Sequence, residues 1–197
     1  MSERVGVFLD RDGTLNVEVD FVRSPDALHI IAGAPEAVRK LNACGVITCV
    51  ISNQSGIARG YLTESDLALI HAKLEAEFHV YGARFDRILY CPHHPTEGIA
   101  PYNIECECRK PKPGMLLKGA AEFHLDLRNC FVVGDSVVDM QAANAVGATS
   151  ILVQTGYGKK ALATCTEQQI PIAFVAESVV EAMDFIVDHV GRRTHNA

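Results

Sequence analysis

Two aspartates, Asp10 and Asp12, stand directly after a short apolar run at residues 5–9. The run is rich in β-forming residues and does not alternate with polar ones, so it predicts a strand buried on both faces. Carboxylates two residues apart at a strand end lie on the same side and repel each other unless a cation or a proton intervenes. Mg²⁺, which prefers oxygen ligands, would meet that need. Asp10 could then attack phosphorus, and Asp12 could protonate the leaving oxygen and activate water.

Other polar groups follow later apolar runs or form a basic pair. Ser52 could donate a hydrogen bond to a phosphoryl oxygen, although a serine followed by an asparagine is also an ordinary turn. Lys110 could neutralise phosphoryl charge, and the neighbouring Arg109 offers two donors to a second oxyanion. Asp135 could complete a metal site, whereas Asp139 could either anchor its loop or face water.

A cluster of cysteine and histidine lies in an aperiodic segment before this basic pair. Cys91, His93, Cys106 and Cys108 supply three thiolates and one imidazole, a closed tetrahedral set that suits zinc. His94 is the alternative imidazole, and unpaired thiols in a surface loop are the alternative without a metal. Because no ligand position stays open, the expected role of zinc is structural. It would shape the loop that presents the arginine and the lysine.

Segments typical of strands and of helices alternate along the chain. The expected strands lie at residues 5–9, 46–51, 85–90, 130–133 and 150–153, and the expected helices at 35–43, behind a capping box at Thr63 and Asp66, after 114, at 137–146 and at 178–190. This alternation predicts an α/β fold, a doubly wound parallel sheet with helices on both faces. Ligands of such sheets bind beyond the carboxyl ends of the strands, where Asp10, Ser52 and Asp135 would converge.

The length of the chain limits the number of domains it can form. With 197 residues there is room for one domain, which we expect over residues 1–190. A zinc-stabilised loop would occupy residues 91–108, and residues 191–197 would form a tail. The intervals between the candidate site residues leave no room for a separate cap domain, so the pocket should be open.

Composition narrows the classes of partner. The formal net charge is −6 without a basic block, which argues against nucleic acid. No apolar run is long enough for a membrane span, and the N-terminal residues lack the pattern of a signal peptide. We therefore expect a cytoplasmic monomer that acts on a small molecule.

Four segments, in the order DRDGT, SNQ, CRKPKPGM and VGDSVVDM, resemble the four motifs of the haloacid dehalogenase (HAD) superfamily. The resemblance implies a HAD-type Rossmann-like fold and a magnesium-dependent phosphatase. It implies Asp10 as the nucleophile and Asp12 as the acid and base, with Ser52 and Lys110 holding the phosphoryl group. Asp10, the carbonyl of Asp12 and Asp135 would bind Mg²⁺.

The segments CPHHP, CECRKPKPGM and SNQSGIARG are similar to those of a narrower group, the D-glycero-D-manno-heptose 1,7-bisphosphate 7-phosphatases. This resemblance implies removal of the C7 phosphate on the route to nucleotide-activated heptose for bacterial surface glycans such as lipopolysaccharide. Arg109 would recognise the phosphate that stays. The other implied substrate contacts are Asn53, Gln54, Ser55, Glu18 and Phe21. The chain departs from the group at Ser136, where lysine is frequent, and within residues 18–21, where a glycine and a tyrosine are frequent.

Two alternative functions are a phosphatase that acts on another substrate and a phosphate-accepting protein that is not an enzyme. Histidinol-phosphate phosphatases share the zinc loop, but their substrate carries one phosphate and an amine, whereas Arg109 beside Lys110 favours a bisphosphate. A receiver-like module that accepts phosphate as a signal is the alternative without catalysis. Receivers carry adjacent acids after the first strand, whereas Asp10 and Asp12 are separated by an arginine, and a zinc loop has no place in a receiver.

Overall fold

The computed structural model describes residues 4–195, with side chains up to Arg192. It confirms the α/β fold: a six-stranded parallel sheet in the order β3-β2-β1-β4-β5-β6 is covered by helices on both faces. The strands are β1 Gly6–Leu9, β2 Ile47–Asn53, β3 Arg87–Cys91, β4 Phe131–Gly134, β5 Thr149–Val153 and β6 Phe174–Ala176. The helices are α1 Ala34–Ala43, α2 Glu64–His79, α3 Gly114–Phe123, α4 Val137–Ala145, α5 Gly158–Glu167 and α6 Val179–His195. Short 3-10 helices lie at Pro25–Ala27 and Leu127–Asn129.

Successive side chains of the central strand enter separate hydrophobic cores. Val7 and Leu9 pack with α1, α2 and α6 on one face, and Phe8 packs with α3 and α4 on the other. Because successive strand residues point to opposite faces, a strand covered on both sides needs an uninterrupted apolar run. This arrangement explains why residues 5–9 show no alternation.

Capping boxes formed by side chains stabilise the N-termini of two α-helices. The predicted capping box of α2 is confirmed: Thr63 N–H donates to Asp66 Oδ2 over 2.8 Å, and Asp66 N–H donates to Thr63 Oγ1 over 3.1 Å. A second capping box, which the sequence analysis did not predict, begins α4 with Ser136 and Asp139. Ser136 N–H donates to Asp139 Oδ2 over 3.1 Å, so the capping contacts hold the Asp139 carboxylate on the side where the strands end.

Several boundaries differ from the sequence prediction. β2 reaches Asn53, so the strand itself presents the serine and asparagine of the expected turn. The helix α5 and the strand β6 were not predicted, because α5 buries only Gly158, Ala161 and Cys165 and β6 is three residues long. The last helix continues past 190 into the expected tail, as far as His195, and residues 196 and 197 lie outside the described chain.

The long connections carry little regular structure. The connection from β1 to α1 holds one 3-10 helix, and the connection from β3 to α3 is the cysteine-histidine loop. Within residues 4–195 there is no separate cap domain, and the edge of the sheet beyond the strand ends is left open. No described helix combines the length and the apolar character that a bilayer crossing requires.

Candidate active site

Three buried carboxylates meet beyond the carboxyl ends of β1 and β4. The strands pair side by side, and Asp10 N–H donates to the Val133 carbonyl over 2.8 Å. Carboxylate oxygens of Asp10, Asp135 and Asp139 all lie within 4.8 Å of one another. The sheet order reverses between these two strands, which is where ligands of doubly wound sheets bind. The predicted convergence of Asp10 and Asp135 is therefore present, and Asp139 joins them rather than facing water.

One buried lysine lies among these acids. Lys110 Nζ is 2.6 Å from Asp10 Oδ1, 2.6 Å from Asp139 Oδ1 and 3.0 Å from the Ile51 carbonyl. Only 3% of the Lys110 side chain is exposed. A single ammonium cannot neutralise three carboxylates, so the cluster keeps a negative balance when all are ionised. The donor set of buried carboxylate oxygens fits a hard divalent cation such as Mg²⁺.

The acids shift one another's ionisation. Burial raises the pKa of Asp10 well above its usual value, and the charges of Asp139 and Asp135 add to the rise while Lys110 opposes it. Burial and, to a smaller extent, the charge of Asp139 raise the pKa of Asp135 to about 7. Burial alone would lower the pKa of Lys110, but Asp10 and Asp139 outweigh it and raise that pKa. A divalent cation would favour the ionised form of the same carboxylates.

Glycines on two loops leave room for Asp135. At Gly13, with φ 78°, an added Cβ would lie 2.0 Å from Asp135 Oδ2, and at Gly156 it would also lie 2.0 Å away. The same Oδ2 accepts the Tyr157 N–H over 2.8 Å, and Thr155 Oγ1 donates to the Gly13 carbonyl over 2.6 Å. The turn after β5 therefore packs directly against the loop after β1, a contact that was not predicted from the sequence.

Asp12 is held apart from the three clustered acids. Arg11, which is fully buried, donates from Nη2 to both Asp12 carboxylate oxygens over 2.9 and 2.8 Å. Asn16 and Gln54 donate to the same carboxylate over 3.0 and 2.8 Å. Burial opposes ionisation of Asp12, but Arg11 and these hydrogen bonds outweigh it and lower its pKa. The role of Arg11 was missed, although a basic residue between two acids is a signal for such a pairing.

The end of β2 connects Asp12 and Lys110 to the sheet. Gln54 Nε2 donates to Ser52 Oγ over 2.7 Å as well as to Asp12. Asn53 Nδ2 donates to the Lys110 carbonyl over 3.0 Å, and its Oδ1 accepts the Lys110 N–H over 3.1 Å. Asn53 and Gln54, expected as substrate contacts, thus hold other site residues in place.

The remaining expected substrate contacts lie around the rim. Phe21 packs edge-on against Tyr61, with ring centroids 4.9 Å apart. Glu18 is half-buried, and burial, then the charge of Asp12, raises its pKa. Arg109 Nη1 donates to the His93 carbonyl over 3.1 Å, which ties it to the cysteine-histidine loop. Ser55 is partly exposed in the turn after β2.

The cysteine-histidine loop brings four ligand atoms together. The Sγ atoms of Cys91 and Cys106 are 3.5 Å apart, and those of Cys106 and Cys108 are 3.4 Å apart. His93 Nδ1 lies 3.7 Å from Cys91 Sγ and 3.5 Å from Cys108 Sγ. Tetrahedral zinc with Zn–S bonds of about 2.3 Å requires edges of about 3.8 Å, so the set fits zinc. His94 is not in this group, and its Nδ1 accepts the Glu97 N–H over 3.0 Å.

Comparisons with known proteins point to one family of hydrolases. A model of the HAD-hydrolase-like family matches residues 107–182. The D-glycero-beta-D-manno-heptose-1,7-bisphosphate 7-phosphatase of Vibrio cholerae is 44% identical over 151 residues, which cover 76% of this chain and 81% of that protein. The enzyme of the same name from Escherichia coli K12 is 41% identical over 76% of this chain and 79% of its own. The crystal structure of D,D-heptose 1,7-bisphosphate phosphatase from B. bronchiseptica, complexed with magnesium and phosphate, superposes with a TM-score of 0.84 at 35% identity and covers 94% of this chain and 99% of that one.

Proposed function

Because the chain belongs to the heptose-1,7-bisphosphate 7-phosphatase family of HAD-like hydrolases, we propose that it hydrolyses the C7 phosphate of D-glycero-D-manno-heptose 1,7-bisphosphate. The observation that carries the proposal is the buried cluster of Asp10, Lys110, Asp135 and Asp139. It combines a nucleophilic carboxylate, a cation for phosphoryl charge and a site for Mg²⁺ at one edge of the sheet. The product would supply heptose for bacterial surface glycans.

Asp10 and Asp135, with the Asp12 carbonyl, would hold Mg²⁺. The bound ion supplies positive charge that shields the incoming phosphate from the carboxylates. Lys110, already 2.6 Å from Asp10, would stay close to the phosphoryl oxygens, and Ser52 would donate to another of them. Asp139 would position Lys110 through its own ion pair.

Asp10 would attack phosphorus in line, forming an aspartyl phosphate as the bond from phosphorus to the sugar oxygen breaks. Asp12 would give its proton to that oxygen and then take a proton from water, which attacks phosphorus and releases Asp10 and inorganic phosphate. The hydrogen bonds from Arg11 and Gln54 would orient Asp12 in both steps. Although Arg11 favours the carboxylate, the negative charge of an incoming phosphate raises the pKa of nearby acids and so favours the protonated form needed first.

The four ligands at Cys91, His93, Cys106 and Cys108 would hold a structural zinc ion. All four positions are filled by the protein, so none is open for substrate. The loop leads directly into Arg109 and Lys110, and Arg109 also donates to the His93 carbonyl. Zinc would therefore fix the direction of both basic side chains.

Arg109 would bind the phosphate that remains on the substrate. Because a charge-assisted hydrogen bond contributes roughly 1.5–3 kcal/mol, we expect a preference of about ten- to a hundredfold for the bisphosphate over the 7-phosphate. The relatives are named for the β anomer, and we extend that preference to this chain. A cytoplasmic location, a monomeric state and a single domain over residues 1–190 remain predictions.

The test is kcat/KM for the heptose bisphosphate, heptose 7-phosphate and histidinol phosphate, with wild type and Arg109→Ala. Arg109→Ala should erase most of the preference for the bisphosphate while keeping slow hydrolysis of simple phosphate esters. Arg39→Ala, which removes the same charge from an exposed position on α1, is the matched control. If histidinol phosphate proves the best substrate, or Arg109→Ala leaves the ranking unchanged, the heptose assignment fails.

A further inference from the structure

A side-chain hydrogen bond joins two loops at the rim of the site. Tyr157 Oη donates to Asp20 Oδ1 over 3.0 Å. Tyr157 lies in the turn between β5 and α5, and Asp20 lies in the segment 17–21, within the connection from β1 to α1. Both residues are exposed, with 48% of Tyr157 accessible, so this bond is not a consequence of core packing.

The backbone at Asp20 has an uncommon conformation. Asp20 has φ 60°, in the left-handed region that residues other than glycine adopt at a cost. Phe21 N–H donates to the Val19 carbonyl over 2.7 Å, so the chain makes a three-residue turn centred on Asp20. Tight turns of this hand are rare and strained. A hydrogen bond from Tyr157 to Asp20 would favour this one conformation of the segment.

The segment 17–21 is also held by aromatic packing at Phe21, the residue next to Asp20. Phe21 contacts Tyr61 edge-on and lies so close to Gly56 that an added Cβ there would be 3.1 Å from Phe21 Cδ1. The segment therefore spans from the loop after β2 to the turn after β5. Glu18 lies between Asp20 and Val17, whose N–H donates to the His29 carbonyl over 2.8 Å, and it lines a cavity of about 540 Å³ together with Tyr157.

Tyr157 also contacts the candidate metal site through its backbone. Its N–H donates to Asp135 Oδ2 over 2.8 Å, so one residue fastens both the rim segment and a proposed magnesium ligand. We propose that the hydrogen bond from Tyr157 to Asp20 is a latch that fixes the segment 17–21 and places Glu18 against the hydroxyl groups of the sugar. Tyr157 is then a positioning residue for substrate specificity, an inference that rests on the proposed function.

Tyr157→Phe removes the hydroxyl and keeps the ring and the backbone N–H. Loss of one hydrogen bond at the rim should raise KM for the heptose bisphosphate about 3- to 10-fold, with kcat within about twofold. The kcat/KM for p-nitrophenyl phosphate, which has no sugar hydroxyls, should fall less than that for the heptose bisphosphate. Tyr81→Phe is the matched control, since it removes a hydroxyl from an exposed tyrosine that follows α2.

Variants of the acceptor test whether the bond itself matters. Asp20→Gly removes the acceptor while allowing φ 60°, and Tyr157→Phe should have no further effect in that background. Asp20→Asn keeps an acceptor oxygen and tolerates the left-handed backbone, so it should behave as wild type. Independent effects of the two changes on KM would overturn the latch.

Hydrogen exchange separates this inference from the proposed function. The Phe21 amide should exchange several-fold faster in Tyr157→Phe than in wild type without any substrate present, because the turn at Asp20 opens more often. Unchanged exchange would refute the latch even if the enzyme hydrolyses the heptose bisphosphate. If wild type fails to hydrolyse that sugar, the proposed function fails, and faster exchange would still support the latch.

Discussion

Replacing Lys110 by methionine tests whether this lysine neutralises the buried acids. Its side chain is only 3% exposed, and ion pairs at 2.6 Å join it to Asp10 and to Asp139. Removing one partner of a buried pair leaves charge without compensation and costs about 3–5 kcal/mol of unfolding free energy. We expect the unfolding free energy of Lys110→Met to be about 3–5 kcal/mol lower than that of wild type in magnesium-free, zinc-containing buffer.

Lys112→Met is the matched control. Lys112 lies two residues away and is also 3.0 Å from two carboxylates, on Glu105 and Glu107, but those glutamates are 78% and 83% exposed. Exposed pairs contribute about 0–1 kcal/mol, so this variant should unfold nearly as wild type does. The comparison therefore separates burial from the mere presence of an ion pair.

Urea unfolding followed by circular dichroism gives both free energies. Mg²⁺ should restore part of the unfolding free energy that Lys110→Met loses, because the cation neutralises the same carboxylates and binds the folded state. It should have a smaller effect on the difference between Lys112→Met and wild type. The reasoning is wrong if the two variants lose similar amounts, or if Mg²⁺ leaves the deficit of Lys110→Met unchanged.

Three further measurements address other groups. Asp10→Asn should lower turnover by several orders of magnitude, and near-normal turnover in a folded variant would exclude it as the nucleophile. Elemental analysis should find about one zinc per chain, which Cys106→Ser should lose along with stability; a fully active zinc-free wild type would contradict this expectation. Burial, then the charge of Arg11, lowers the pKa of His71 from 6.5 to about 4, so the unfolded chain binds a proton first as pH falls. Wild type should therefore lose up to about 3 kcal/mol between pH 6.5 and pH 4, and urea unfolding of His71→Gln should lack this loss; equal pH dependences would refute it.

The fold could be read from the sequence wherever an element buries a continuous apolar surface. The run at residues 5–9 predicted β1, and the pair Thr63 and Asp66 predicted the start of α2. β6 and α5 were not predicted, because their few buried residues give no clear hydrophobic periodicity. The capping box at Ser136 and Asp139 has the same spacing as the one at α2, so its residues could have been recognised from the sequence.

The site could be predicted as far as its residues follow strand ends. Asp10 and Asp135 meet because parallel strands end at the same edge, and a sequence shows where strands end. Contacts made by side chains across loops could not be predicted in this way. The double contact of Gln54 and the hydrogen bond from Tyr157 to Asp20 depend on distances that only the folded chain defines.

The pairing of β1 with β4 has a consequence for the order of folding. β1, β2 and β3 come from the first half of the chain and pair with one another, whereas β4 joins β1 from far along the sequence. Pairings of large sequence separation form slowly because the intervening chain must first be closed into a loop. During synthesis the N-terminal strands can therefore assemble first. Such an intermediate carries Asp10 but lacks Asp135 and Asp139, so the buried cluster of three carboxylates forms only after β4 docks beside β1.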